Sequence, residues 1–200
     1  MNETPPVNRK AVFINAPFDS AYEPLFVTLI GVVTFLDYSP HCVLEVRETG
    51  EGRLQRIYNL MRTCRISIHD MSRIGAPVRF NMPFELGLAV SLKLAQPQEY
   101  EVTVLDSEPH RMDRRLSDFK GRDLLIQHGT CDGMIAALLD AFQSQRSDAS
   151  ELRRAARDLR TYARNIKRAF RTETIFHPHL FQHLIKAALR IATERAFLLP

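Results

Sequence analysis

Glu85 stands inside an apolar stretch, Phe84-Glu85-Leu86-Gly87-Leu88-Ala89, that is entered through Arg79-Phe80-Asn81-Met82-Pro83. Leu88, Ala89 and Leu92 follow it at offsets of three, four and seven, so on a helix the carboxylate shares the face that turns toward the core. A charge there costs free energy unless a helix N-terminus, a hydrogen-bond network or a ligand compensates it. Asn81 fits an N-cap and Pro83 a first turn, which would set Glu85 beside the positive end of the helix dipole. That placement predicts an ionised carboxylate in a cleft, the group required of a nucleophile or of a partner for a ribose hydroxyl. A glutamate that serves only the helix dipole fits the same spacing.

The elements that must position Glu85 can be read along the chain. Ala11–Asn15 reads as a short buried strand ending in the turn Asn15-Ala16-Pro17-Phe18-Asp19. Glu23–Leu36 reads as a long apolar helix with Pro24 in its first turn and Asp37 and Pro40 at its end. His41–Val46 is predicted as a second strand, Arg47–Gly52 as a charged loop, and Leu54, Ile57, Tyr58 and Met61 mark a helix. Arg65–His69 is a third strand, Val102–Leu105 a fourth and Leu124–Ile126 a fifth, with a helix over Met134–Phe142. Strands alternating with helices predict parallel βαβ crossovers, hence an α/β fold with a parallel sheet covered by helices on both faces. Ligands of such sheets bind at the carboxyl ends of the strands. The polar and aromatic residues predicted there are Asn15, Pro17, Phe18 and Asp19 after the first strand, Glu45 and Arg47 after the second, and Asp70 and Ser72 after the third. Glu85 opens the next helix. None of these is diagnostic alone; their convergence on one rim is.

Two hundred residues, 45% of them hydrophobic, suffice for a sizeable core. The longest apolar run, Leu25–Leu36, is too short to span a bilayer, and no charged-then-apolar leader precedes it, so no membrane partner is expected. Cys42, Cys64 and Cys131 are odd in number, widely spaced and without a CxxC pair, which reads as reduced thiols in a cytoplasmic protein. The net charge of +4 is uneven: Glu151–Arg171 carries eight basic residues against Glu151 and Asp158. A polar break at Ser147–Ser150, with Asp148 and Glu151 forming a capping signature, starts that basic helix. Two units are therefore expected, an α/β domain over 1–146 and a helical appendage over 147–200.

The segments Ile14-Asn15-Ala16-Pro17-Phe18-Asp19, His69-Asp70-Met71-Ser72-Arg73 and Arg79-Phe80-Asn81-Met82-Pro83-Phe84-Glu85-Leu86-Gly87 together resemble a bacterial branch of the nucleoside 2-deoxyribosyltransferase-like and TIR-like superfamily. The resemblance covers about Ala11 to Phe142. It implies a flavodoxin-like sheet, often assembled as dimers or larger rings, and cleavage of an N-glycosidic bond. It further implies that Phe18 holds a base, Asp70 positions the nucleoside, and Glu85 attacks or stabilises the anomeric carbon. A carboxylate suits that chemistry because oxocarbenium character builds at C1′ as the base leaves. Asp70 or Asp19 could orient a ribose hydroxyl or protonate the base. Arg47, Arg73 and Arg79 are forked donors suited to phosphates, which points to a nucleotide, NAD or a relative, as substrate or ligand, with no separate cofactor. Asn81 completes the substrate-binding set. The chain departs from many relatives in lacking a tyrosine or tryptophan in the strand-one loop. A nucleotide sensor that signals through its C-terminal helices without turnover is the alternative reading.

His179 and His183 are four apart, but no cysteine or acidic residue beside them completes a ligand set, so no metal is expected. His69 could orient Asp70, but reads first as a strand residue hydrogen-bonded within the rim. The arginine stripe of the 151–171 helix lacks interleaved aromatics and any base-reading motif, so nucleic acid is not the expected partner. Asp106-Ser107-Glu108 reads as either a pocket border or a plain turn, and Asp113 and Asp118 as surface. The apolar stripes Leu152, Leu159, Ile166, Phe170 and Leu180, Leu184, Ile191, continued by Phe197, Leu198 and Leu199, predict a homodimer or larger homo-oligomer with the appendage in its interface.

Overall fold

Ala11-Val12-Phe13-Ile14-Asn15 is buried along its whole length, the pattern of a parallel strand covered on both faces. In the computed structural model, which describes residues 7–45, 52–73, 80–112, 116, 124–144 and 148–197, it is the end of β1 (Asn8–Asn15). The other strands are β2 (Ser39–Cys42), β3 (Cys64–Asp70), β4 (Glu101–Asp106) and β5 (Leu125–Ile126). All four pairings are parallel and the strand order is β2-β1-β3-β4-β5, the order of a flavodoxin-like sheet. The helices are α1 (Glu23–Phe35), α2 (Arg53–Thr63), α3 (Asn81–Ala95), α4 (Cys131–Ala141), α5 (Ala149–Ala169) and α6 (Pro178–Glu194).

The pleat sorts the strand residues between two helical layers. Val12 and Ile14 of β1, with Ile66 and Ile68 of β3, share one core with α1 and α4. Ala11 and Phe13 face the other way, onto Ile57 and Met61 of α2 and Ala89 and Leu92 of α3. Register aligns Asn15 with His69 and Asp70 with Leu105, so the polar ends of β1 and β3 lie side by side.

Two sequence boundaries need correction. The second strand begins at Ser39 and ends at Cys42, where the chain turns into a 3₁₀ helix over Val43–Glu45. Pro40 is tolerated because β2 is the sheet edge, where an amide is not needed on the open side. α1 closes with Asp37 in the left-handed region (φ 67°), while Tyr38 N–H donates to the Val33 carbonyl at 3.0 Å. Asn81 is not the N-cap of α3 but its first helical residue; Phe80 holds the cap position, with no side-chain cap bond. Glu85 therefore sits in the second turn.

Every residue from Leu25 to Phe35 of α1 is buried, as expected only of a helix enclosed on all sides. The sheet covers one side, and α5 and α6 cover the other. The stripe residues Leu152, Leu159, Leu180 and Leu184 are fully buried in this shared core. The stripes behind the expected oligomer are thus covered by α1 of the same chain, and Phe197 packs on Phe35 with ring centroids 5.4 Å apart. Phe170 is exposed, and Leu198 and Leu199 lie outside the described residues. Asp148 caps α5 as its spacing predicts, accepting from Ser150 N–H at 2.7 Å. Among the described residues no helix is long and apolar enough to cross a membrane.

Candidate functional site

A cleft of about 290 Å³ opens at the carboxyl end of β1, where the strand order reverses between β1 and β3. Its walls are Ile14, Asn15, Ala16 and Phe18 from β1 and its loop, Val43 from the 3₁₀ turn, Arg53 from α2, and Asn81, Met82 and Glu85 from α3. Four of these, Asn15, Phe18, Asn81 and Glu85, are site residues expected from the sequence, and the fold brings them together.

Glu85 is only 7% exposed, and no described residue donates a hydrogen bond to its carboxyl. The dipole field fades beyond the first helical turn, so a second-turn carboxyl gains little from it. Burial dominates and pushes the Glu85 pKa up to about 7, with the opposing pull of Arg53 too weak to cancel it. The expectation of a fully ionised carboxylate is corrected here: Glu85 titrates near neutrality.

Asn15 is held by two bonds from one amide nitrogen. Nδ2 lies 3.2 Å from the Met82 carbonyl and 3.2 Å from His69 Nδ1. A carbonyl oxygen only accepts, so the atom between these partners must be the NH₂ group, and His69 Nδ1 must be a lone pair. Burial keeps His69 neutral, lowering its pKa to about 3, and its Nε2, carrying the remaining proton, meets no partner among the described residues. His69 thus fixes the Asn15 amide and leaves its Oδ1 as the acceptor on the cleft wall. The predicted rim hydrogen bond of His69 is present, directed to Asn15 rather than to Asp70.

Asp70 lies outside the cleft lining and is fully buried. Its carboxyl accepts from Tyr22 O–H at 2.5 Å, Ser72 N–H at 2.8 Å and Gln127 Nε2 at 3.2 Å. Burial raises its pKa even against these donors. Asp70 ties the loops after β1, β3 and β5 together behind the cleft, and Ser72, expected as a ligand contact, is one of its donors. Asp19 closes the turn before α1 by accepting from Tyr22 N–H at 3.0 Å, with Arg73 Nε 4.0 Å away. Pro17 is buried beside the lining. Glu45 points elsewhere, engaging His41 Nδ1 at 2.8 Å and Gln182 Nε2 at 3.2 Å. Arg47 and Arg79 lie outside the described residues, as do Asp113 and Asp118. Asp106 is buried and bonded to Arg111, which makes its loop a structural turn.

Phe18 reaches the cleft, but one of its faces is stacked on Phe176 at 4.9 Å and it meets Phe26 edge-on at 5.7 Å. The main residue that sequence reasoning misses is Arg53, exposed at the first position of α2 after the N-cap Gly52, whose end has no side-chain cap. Its sequence signal is a glycine-arginine step closing a predicted strand-end loop. Among the described residues no three His, Cys, Asp or Glu side chains gather as a metal would need. His179 and His183 instead pack against Phe170, at 5.2 and 5.3 Å between ring centroids. Comparisons with protein-family models, curated proteins and solved structures each found no match.

Proposed function

We propose that the chain cleaves the N-glycosidic bond of NAD or a related nucleotide, with Glu85 as the catalytic carboxylate. The observation that carries this reading is a carboxyl buried in the wall of the switch-point cleft, with no described hydrogen-bond donor and an arginine sharing the lining. A buried carboxylate without a partner suits a positive charge that appears only as the reaction proceeds. As the bond from C1′ to the base breaks, the electron pair leaves with the base, and the ionised Glu85 stabilises or captures C1′. Water, or another nucleophile, then bonds to C1′. Where Glu85 had captured C1′ that bond breaks and its electron pair returns to the carboxylate, and the nucleophile's proton passes to solvent.

A cationic nicotinamide ribose near Glu85 favours its ionised form, so substrate itself draws the group from near 7 toward the carboxylate. Arg53 and the uncapped first turn of α2 suit a phosphate, and the Asn15 acceptor suits a ribose hydroxyl. Asp70 acts by holding the three loops in place, not by touching the nucleotide.

Chromatography of NAD and a nucleotide panel incubated with the full chain tests this reading. Release of free base by the parent and at least a hundredfold less by Glu85→Gln is expected, the size typical of a catalytic carboxylate (about 10²–10⁴). No base release, or equal rates for the two proteins, overturns it.

A second reading is favoured by contacts from the C-terminal segment: Phe176 stacks on Phe18 and Gln182 bonds Glu45. These join the loop after β1 to the segment preceding α6 and the turn after β2 to α6 itself, as a sensor that reports cleft occupancy through its last helices would require. Nucleotide binding by calorimetry without product favours that reading over turnover.

A further inference from the structure

We propose that a second groove, between α1 and α5, binds a small organic anion: a phosphate or carboxylate group carried on an apolar body. The groove holds about 280 Å³ and is bordered by the loop that carries Phe176. Its walls join Val27 of α1, Ala163 of α5 and Ile175, all buried, to the cationic side chains of Arg160, Arg164 and Lys167. One acid, Glu23, shares the groove and is already engaged: its carboxylate takes Lys167 Nζ at 2.6 Å and Ile175 N–H at 2.9 Å. On the same helix Arg153 pairs with Asp132 and Arg154 with Glu151.

Arg160 and Arg164 differ. Among the described residues neither has a carboxylate partner, and each donates to a hydroxyl only: Arg160 Nη1 to Thr28 Oγ1 and Arg164 Nη2 to Thr161 Oγ1, both at 2.9 Å. Thr28 Oγ1 donates its own proton to the Pro24 carbonyl at 2.8 Å, so it holds the half-buried Arg160 guanidinium in place as an acceptor. A partly desolvated guanidinium whose one bond leaves most of its N–H groups to spare is short of an anion, and its planar fork matches a carboxylate or phosphate. The apolar walls select for a ligand whose anionic group is attached to a ring or chain. The proposal does not depend on the activity assigned to the cleft.

Calorimetry on the full chain, with phenyl phosphate as probe, tests it. One-to-one binding is expected, at least about tenfold tighter than inorganic phosphate, because the ring adds buried apolar area. Arg160→Gln and the exposed-side variant Arg164→Gln should each weaken it about tenfold, as loss of a charge-assisted bond does, with melting temperature checking the fold. Arg53→Gln, in the cleft wall, should leave it unchanged. No binding at millimolar probe, equal affinity for inorganic phosphate, or loss with Arg53→Gln but not with Arg160→Gln and Arg164→Gln overturns the proposal.

Discussion

Replacing Glu85 by glutamine should stabilise the fold at alkaline pH while removing the group assigned to catalysis. The carboxyl titrates near 7 in the folded chain, against an ordinary value of 4.5, because burial disfavours its charge. The folded chain therefore holds this proton more tightly than the unfolded one. Below 4.5 both states are protonated and nothing is lost; as pH rises to 7 the unfolded state ionises first, and stability falls. The full cost across that interval is about 3 kcal/mol, an upper figure because the cleft admits water. Glutamine has the same shape and never ionises. Urea unfolding at pH 8 should find Glu85→Gln about 2–3 kcal/mol more stable than the parent, or about 4–10 °C higher in melting temperature for a chain of this size. At pH 4.5 the two should agree within about 0.5 kcal/mol. A variant no more stable than its parent at pH 8, or a difference that is flat with pH, would refute the burial of an uncompensated carboxyl.

Further outcomes follow from other contacts. In the proposed reaction kcat/KM should rise with pH and level off above about 7, since the ionised form of Glu85 is the working one; a profile flat from pH 5 to 9 would count against its role. Asn15→Asp sets an acceptor against the Met82 carbonyl and His69 Nδ1, and should cost about 1–3 kcal/mol in urea unfolding. Gly31→Ala would bring a methyl within 2.8 Å of Leu159 Cδ2 where α5 crosses α1, costing about 1–3 kcal/mol; Leu159→Ala in the same chain should recover part of that, a coupling readable in a double-mutant cycle.

The parts of the fold that are legible in the sequence are those with a strong local pattern. β1 and β3 are buried runs bounded by polar turns, and the residues at their carboxyl ends fall on one rim as expected, because a parallel sheet forces strand ends together. β2 is displaced from its expected span since Pro40 reads as a stop signal, whereas an edge strand tolerates it. The cap of α3 differs by one residue because asparagine favours caps intrinsically, and that step carries Glu85 out of the first turn; the raised pKa of Glu85 comes from burial, which no cap residue signals. The partners of Asp70 have no local signal: Tyr22 is 48 residues away and Gln127 is 57, and no periodicity links them. The cover over the C-terminal stripes does have one, in the unbroken apolar circumference of α1, which one sheet cannot bury alone. Arg53 has almost none, since an arginine after a glycine at a helix start is ordinary surface chemistry.

The central claim is that the cleft presents the Glu85 carboxyl to the anomeric carbon of a nucleotide. A crystal structure of full-length Glu85→Gln grown with NAD tests it most directly. The nicotinamide ribose is expected in the cleft with C1′ in van der Waals reach of the substituted side chain, about 3–3.5 Å, a ribose hydroxyl on Asn15 Oδ1 and a phosphate at Arg53. A nucleotide bound with its ribose turned away from position 85, or found only outside the cleft, would contradict it.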